Sequence, residues 1–153
     1  MSNIFGFENL VAYQRSMDLV DKVYDLLRGF PSEEKYALCD QLRRAVVSIP
    51  SNIAEGLGRL SGKEQVRFIE ISYGSLMEVY CQLSIAKRRH YITSELFEEL
   101  AKDIEDIARP LSGLRKSLNP QPRIRGTGTF IHSLYTNKHN IFPQESLSKC
   151  SLS

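Results

Sequence analysis

A proline sits in the middle of a helical repeat. Over Gln41 to Gly58, QLRRAVVSIPSNIAEGLG, the apolar residues Leu42, Ala45, Ile49, Ile53 and Leu57 recur at spacings of three and four around Pro50. Proline there removes one backbone donor and crowds the carbonyl of Val46, a cost of about 3 kcal/mol in an ordinary helix. The surroundings must therefore compensate for a kink. Ser48, Ser51 and Asn52 flank the proline, and their side chains are expected to satisfy the freed carbonyls. On a 3.6-residue wheel Arg44, Ser48, Ser51, Glu55 and Arg59 fall together on the side opposite the apolar stripe.

The same period recurs in three other segments. Asn9 is expected to cap a first helix, Leu10 to Arg28, whose stripe is Leu10, Tyr13, Met17, Val20, Tyr24 and Leu27; Gly29 and Pro31 then end it. Ser32 is expected to cap the proline-containing second helix, with Glu33 and Glu34 in its first turn. Ser61 and Glu64 have the capping-box spacing for a third helix, with Phe68, Ser72, Leu76, Val79, Leu83 and Ala86 on its inner face. Gly74 and Ser75 are expected to let a neighbour approach closely, and Lys87, Arg88 and Arg89 suit the helix C-terminus. Thr93 or Ser94 caps a fourth helix with the cleanest stripe, Leu96, Leu100, Ile104, Ile107, Leu111, Leu114 and Leu118, which continues through Pro110.

Four amphipathic helices with short connections predict an all-α fold, an antiparallel up-down-up-down four-helix bundle over residues 1–118. From Asn119 the period dissolves into Pro, Gly, Ser, Thr and Asn, and residues 119–153 read as a partly disordered tail. No apolar run approaches the roughly 20 residues that span a bilayer. Met1-Ser2-Asn3 lacks the basic and apolar regions of a signal peptide, so the expected location is cytoplasmic, with no membrane partner. Three cysteines, Cys39, Cys81 and Cys150, are odd in number and widely spaced, which argues against a disulfide framework.

A net charge of +2 excludes little, but the charge is unevenly spread. Lys35 to Arg89 holds nine basic residues against five acidic ones. Arg43, Arg44, Arg59, Lys63 and Arg67 are the candidate phosphate-contacting group, since arginine's planar fork of donors fits phosphate oxygens. Pairing within helices or between subunits is the competing reading, with Arg44 or Arg59 near Glu55 and Lys63 near Glu64.

Catalysis is not expected. Ser48, Ser51, Asn52 and Glu55 are a polar group without a histidine to serve as base, since His90, His132 and His139 lie at a helix end and in the tail. With Pro50 and Gly56 they read as a structural motif supporting the kink. No Glu-x-x-His pair exists for a di-metal site, and His132, His139 and Cys150 match no zinc spacing, so neither metal nor cofactor is expected. GRLSGKE at Gly58 to Glu64 has three residues between its glycines, Glu64 where a phosphate loop needs Ser or Thr, and a helix before it where a strand is required.

Several strings resemble a known family: Phe7 to Leu10 with Tyr13-Gln14, Phe30-Pro31 with Glu34 and Tyr36 to Leu38, Gln41 to Ala45, Ser48 to Gly56, Phe68, and Gly74 to Leu76 with Glu78. Together they are similar to the four-helix-bundle family of 23S rRNA intervening-sequence proteins, over about residues 5–118, with SIPSNIAEG the most specific. The resemblance implies a small bacterial bundle that forms homo-oligomers, a pentamer in related accessory proteins of retroelements, and that partners RNA or DNA; it implies no catalytic activity. The leading expectation is a non-enzymatic, self-assembling bundle binding structured nucleic acid through the basic residues of its second and third helices. The alternative is a protein-protein scaffold that binds no nucleic acid.

Overall fold

Connections of four and five residues, 58–61 and 89–93, leave successive helices no room to run in parallel. A computed structural model describes residues 4–119. Its helices are α1 (Val11–Leu26), α2 (Leu38–Leu57), α3 (Gly62–Arg88) and α4 (Ser94–Leu118), with single 3-10 turns at Gly6–Asn9, Leu27–Gly29 and Ser32–Glu34. The described residues contain no strand, and the expected four-helix fold stands. The tail assigned to 119–153 lies outside the described residues beyond Asn119, with His132, His139 and Cys150.

Side-chain pairs fix the antiparallel order. Arg15 donates to the Asp106 carbonyl at 2.8 Å, and Lys22, two turns further along α1, reaches Asp103 at 2.6 Å and Glu99 at 3.4 Å. The hydrogen bond that Lys22 donates to the Asp103 carboxylate holds the Lys22 pKa above the usual lysine value. Along α2 and α3, Ser48 meets Ser75 while Gly56 lies against Phe68. Between the helices Leu19, Leu42, Ile53, Leu76, Leu83 and Ile107 are fully buried. Each contributes about 1.5–3 kcal/mol relative to exposure.

Three local expectations are corrected. The buried face of α1 is Ala12, Ser16, Leu19 and Val23, rotated from the stripe read in the sequence; Met17 and Tyr24 are 42% and 44% exposed. Ala12 and Ser16 are small enough to let the helix approach its neighbours, and the Ser16 hydroxyl satisfies itself on the Tyr13 carbonyl at 2.6 Å. Asn9 closes a 3-10 turn, and Leu10 stands at the α1 N-terminus without a side-chain cap. Ser32 does not cap α2: it begins a 3-10 turn after Pro31, and the Leu38 N–H donates instead to the Glu34 carboxylate at 3.3 Å.

The later boundaries follow the sequence more closely. Ser61 precedes α3 but makes no side-chain cap, whereas Thr93 accepts the Leu96 N–H at 3.2 Å as expected. Gly74 does not serve close packing, since a Cβ there would meet nothing within 4 Å. That role belongs to Gly56, where a Cβ would stand 2.8 Å from the Phe68 Cβ and 3.3 Å from the Gln65 carbonyl oxygen. Both α2 and α4 run unbroken through their prolines, Pro50 and Pro110.

Candidate nucleic-acid interface

Around Pro50 the polar side chains form a seam between α2 and α3. Ser51 donates to the Val47 carbonyl at 2.8 Å, and Asn52 donates to the Ser48 carbonyl at 2.7 Å and to the Ser48 hydroxyl at 2.9 Å. The Ser48 and Ser75 hydroxyls pair at 2.8 Å, and the buried Ser72 hydroxyl donates to the Ile49 carbonyl at 2.9 Å. These side chains reach the carbonyls of Val47, Ser48 and Ile49 rather than that of Val46. Of the residues read as a structural motif, Glu55 pairs with Arg59 and Gly56 packs against Phe68, while Ser48, Ser51 and Asn52 bond around Pro50 together with Ser72 and Ser75 of α3. Both had shown only as small residues on a helical period.

The five basic candidates do not form one patch. Arg43 and Arg44 lie in the first half of α2, whereas Arg59 follows the last residue of that helix, Leu57, which is fourteen residues or about 21 Å of helix beyond Arg43. Arg44 pairs with Asp40 at 2.8 Å. Arg59 pairs with Glu55 and lies 4.8 Å from the centre of the Phe68 ring. Arg67 reaches Glu64 at 3.8 Å, taking the partner that the sequence offers to Lys63. Each carboxylate sits three or four residues away on the same helix, the spacing that brings side chains together. Arg43 and Lys63 have no carboxylate within ion-pair distance among the described residues.

Two features escape a reading of local charge density. On α3, Ile71, Gly74, Cys81 and Ile85 fall on the side turned away from the core, with Arg67 and Arg88 on the same side. Ile71 and Ile85 are 41% and 44% exposed. They are detectable in the sequence only as apolar residues off the inner period. At the far end, the connection before α2 meets the turn after α3: the Tyr91 hydroxyl donates to Glu34 at 2.9 Å, and the Phe30 and Tyr91 rings stand 5.5 Å apart.

Among the described residues, no group of three or more His, Cys, Asp or Glu side chains could hold a metal ion. A groove of about 520 Å³ at the other end of the bundle is lined by Phe5, Phe7, Leu10, Leu57 and Leu114 among others, with no titratable side chain. Cys39 is buried, and burial pushes its thiol pKa up against the opposing field of Arg43. No helix of the described residues is long and apolar enough to cross a membrane.

Residues 8–113, which contain both the polar seam and all five basic candidates, match the family described as 23S rRNA-intervening sequence protein. The chain belongs to that family. A crystal structure of a protein of unknown function from the S23 ribosomal protein family of Bacteroides thetaiotaomicron is similar to this intervening-sequence protein with a TM-score of 0.64. The two are 24% identical, over 69% of this chain and 96% of that one, a likeness of fold. No curated protein matches the chain. Within the family match, the SIPSNIAEG string coincides with the α2 half of the seam, so the most specific stretch of sequence is also the most hydrogen-bonded stretch of helix surface.

Proposed function

We propose that this intervening-sequence protein acts by binding rather than catalysis and assembles with copies of itself through the outer face of α3. The observation that carries this reading is the exposed stripe of Ile71, Gly74, Cys81 and Ile85, where an open Cβ position at Gly74 leaves room for a neighbouring backbone. A second copy is the fitting occupant, because the stripe and the exposed face of α1 both set apolar side chains among charges of both signs. The stripe carries Arg67 at one end and the exposed Glu78 in its middle, and the exposed Met17 and Tyr24 of α1 share their helix surface with Asp21, Asp25 and Arg28. Contact between two different faces closes a ring when the rotation permits, in keeping with the pentamer that the resemblance implies. Sedimentation of the wild type and of Ile85→Glu is the test. Wild type should exceed the monomer mass and the variant should fall to it; equal masses would sink the reading.

A second reading, nucleic-acid binding, is favoured by the absence of acidic partners for Arg43 and Lys63 and by the family's description. The Arg44, Arg59 and Arg67 pairs are exposed and worth about 0.3–0.5 kcal/mol each, so phosphate oxygens can displace their carboxylates. Binding of rRNA or DNA that weakens steeply with salt, with a shallower slope in Arg43→Ala/Lys63→Ala, is the expected result. A protein that assembles but retains no nucleic acid at low salt is instead a protein-protein scaffold.

A further inference from the structure

The end of the bundle where the 27–37 connection meets the 89–93 turn carries cations that the helix surfaces do not neutralise. Lys35, Arg88 and Arg89 have no carboxylate within ion-pair distance among the described residues. Of the nearby acids, Glu34 accepts both the Tyr91 hydroxyl and the Leu38 N–H and its charge acts on Arg89, Glu33 accepts the Ser32 hydroxyl, and Asp25 pairs with Arg28 at 3.4 Å. Aromatic rings are interleaved with these cations. Lys35 lies 5.2 Å from the centre of the Tyr36 ring and Arg89 lies 5.9 Å from that of Tyr91, while Tyr36 itself is 84% exposed.

The backbone here is fixed rather than loose. The Tyr91 N–H donates to the Ala86 carbonyl at 2.9 Å, ending α3, and His90 between them takes φ 59°, a left-handed conformation that glycine or asparagine normally supplies. The Glu34 contact then ties this turn to the segment that holds Lys35 and Tyr36. Two short loops thus present an exposed aromatic ring beside Lys35, Arg88 and Arg89, of which Arg89 also interacts with the Tyr91 hydroxyl and with the charge of Glu34.

We propose that this loop end is a binding site for an unpaired strand of RNA or DNA, with a base stacked on Tyr36 and phosphates held by Lys35, Arg88 and Arg89. An unpaired base offers an open π-face to an aromatic ring, whereas a duplex buries its bases in the stack. The cations supply the backbone attraction that any nucleic acid requires, and the exposed ring selects the single-stranded form. An acidic peptide would use the same cations but has no need of Tyr36. The proposal rests on the nucleic-acid reading above and adds to its α2–α3 cations a separate contact surface for the unpaired strand.

Fluorescence anisotropy on the full chain tests it, with labelled single-stranded RNA and DNA of about twelve nucleotides and the matching duplexes over a salt series. The variants are Tyr36→Ala, Arg88→Ala/Arg89→Ala and, for comparison, Arg59→Ala/Lys63→Ala, each checked for wild-type helicity and mass. The single strand should bind more tightly than the duplex, and Tyr36→Ala should weaken it about tenfold. Arg88→Ala/Arg89→Ala should lower the slope of log affinity against log salt by about 1.4. Comparison of the RNA and DNA arms identifies the preferred strand. If the single strand binds but only the Arg59/Lys63 variant weakens it, the site is overturned and the nucleic-acid reading survives. If polyglutamate competes for the cations and Tyr36→Ala changes nothing, the stacking site is likewise overturned. If the wild type binds no strand at low salt, the nucleic-acid reading itself falls.

Discussion

The Ser72 hydroxyl of α3 donates to the carbonyl of Ile49, the residue immediately before Pro50 in α2, at 2.9 Å. Both residues are fully buried, so the bond lies in the core between the interrupted helix and its neighbour. Ser72→Ala removes the donor and should cost about 1 kcal/mol of stability. Ser117→Ala, whose exposed hydroxyl bonds only within α4, should cost little by comparison. Urea unfolding of the two variants checks the difference, and equal midpoints would show that the seam contributes nothing.

Gly56 is the point of closest approach between α2 and α3. A methyl group there would overlap the Phe68 Cβ at 2.8 Å, and that atom belongs to a side-chain root that cannot swing away. Gly56→Ala should therefore destabilise by about 1–3 kcal/mol, against the usual gain from replacing a helical glycine. Gly113→Ala supplies the contrast, because nothing lies within 4 Å of its Cβ position and the change should stabilise by up to about 1 kcal/mol. Thermal unfolding that shifts both variants in the same direction would contradict the packing described.

Glu95 occupies the first turn of α4, where hydrogen bonds from its own backbone N–H and then from the Thr93 hydroxyl hold its carboxyl below the ordinary 4.5. A depressed folded-state pKa favours the folded protein while the carboxylate is ionised. That contribution is present above the unfolded pKa and is lost as pH falls from about 4.5 through the lower folded value. Glu95→Gln should flatten the acid limb of stability against pH and leave the slope above neutrality unchanged. An identical acid limb in wild type and variant would refute the assignment.

The two cysteines of the described helices should differ in reactivity. Cys39 is buried with a raised thiol pKa, and Cys81 is exposed on the outer face of α3. In a Cys150→Ser background, a thiol reagent should modify Cys81 rapidly in dilute protein and Cys39 only on unfolding. Self-association through the α3 face should slow the Cys81 reaction as protein concentration rises. A rate independent of concentration across the assembly range would place the interface elsewhere.

How much of this is visible in the chain depends on what each residue does locally. The α4 stripe reads directly, because Leu100, Ile104, Ile107 and Leu111 are large, apolar and buried. The α1 face misleads, because Met17 and Tyr24 are apolar but sit on its flank while the buried Ala12 and Ser16 barely register on a hydropathy pattern. A cap supplied by Glu34 from four residues upstream follows no N-cap rule. The basic group does not form one patch for a geometric reason: density along a sequence says nothing of distance along a helix, and Arg43 lies near the start of α2 whereas Arg59 lies past its end. Tyr91 and Glu34 meet only because the fold brings together residues 57 positions apart.

The four-residue connection between α2 and α3 also bears on how the chain folds. Closing so short a loop takes on the order of 10–100 ns and costs little chain entropy, so this helical hairpin can form before α1 and α4 dock. Its interlocking parts, Gly56 against Phe68 and Ser72 on Ile49, are then expected to form part of the folding nucleus. Damage to them slows folding, whereas damage to α4 chiefly hastens unfolding, a division that the two limbs of a chevron plot separate. On this account α2, which runs through Pro50, is the helix upon which α1 and α4 should condense.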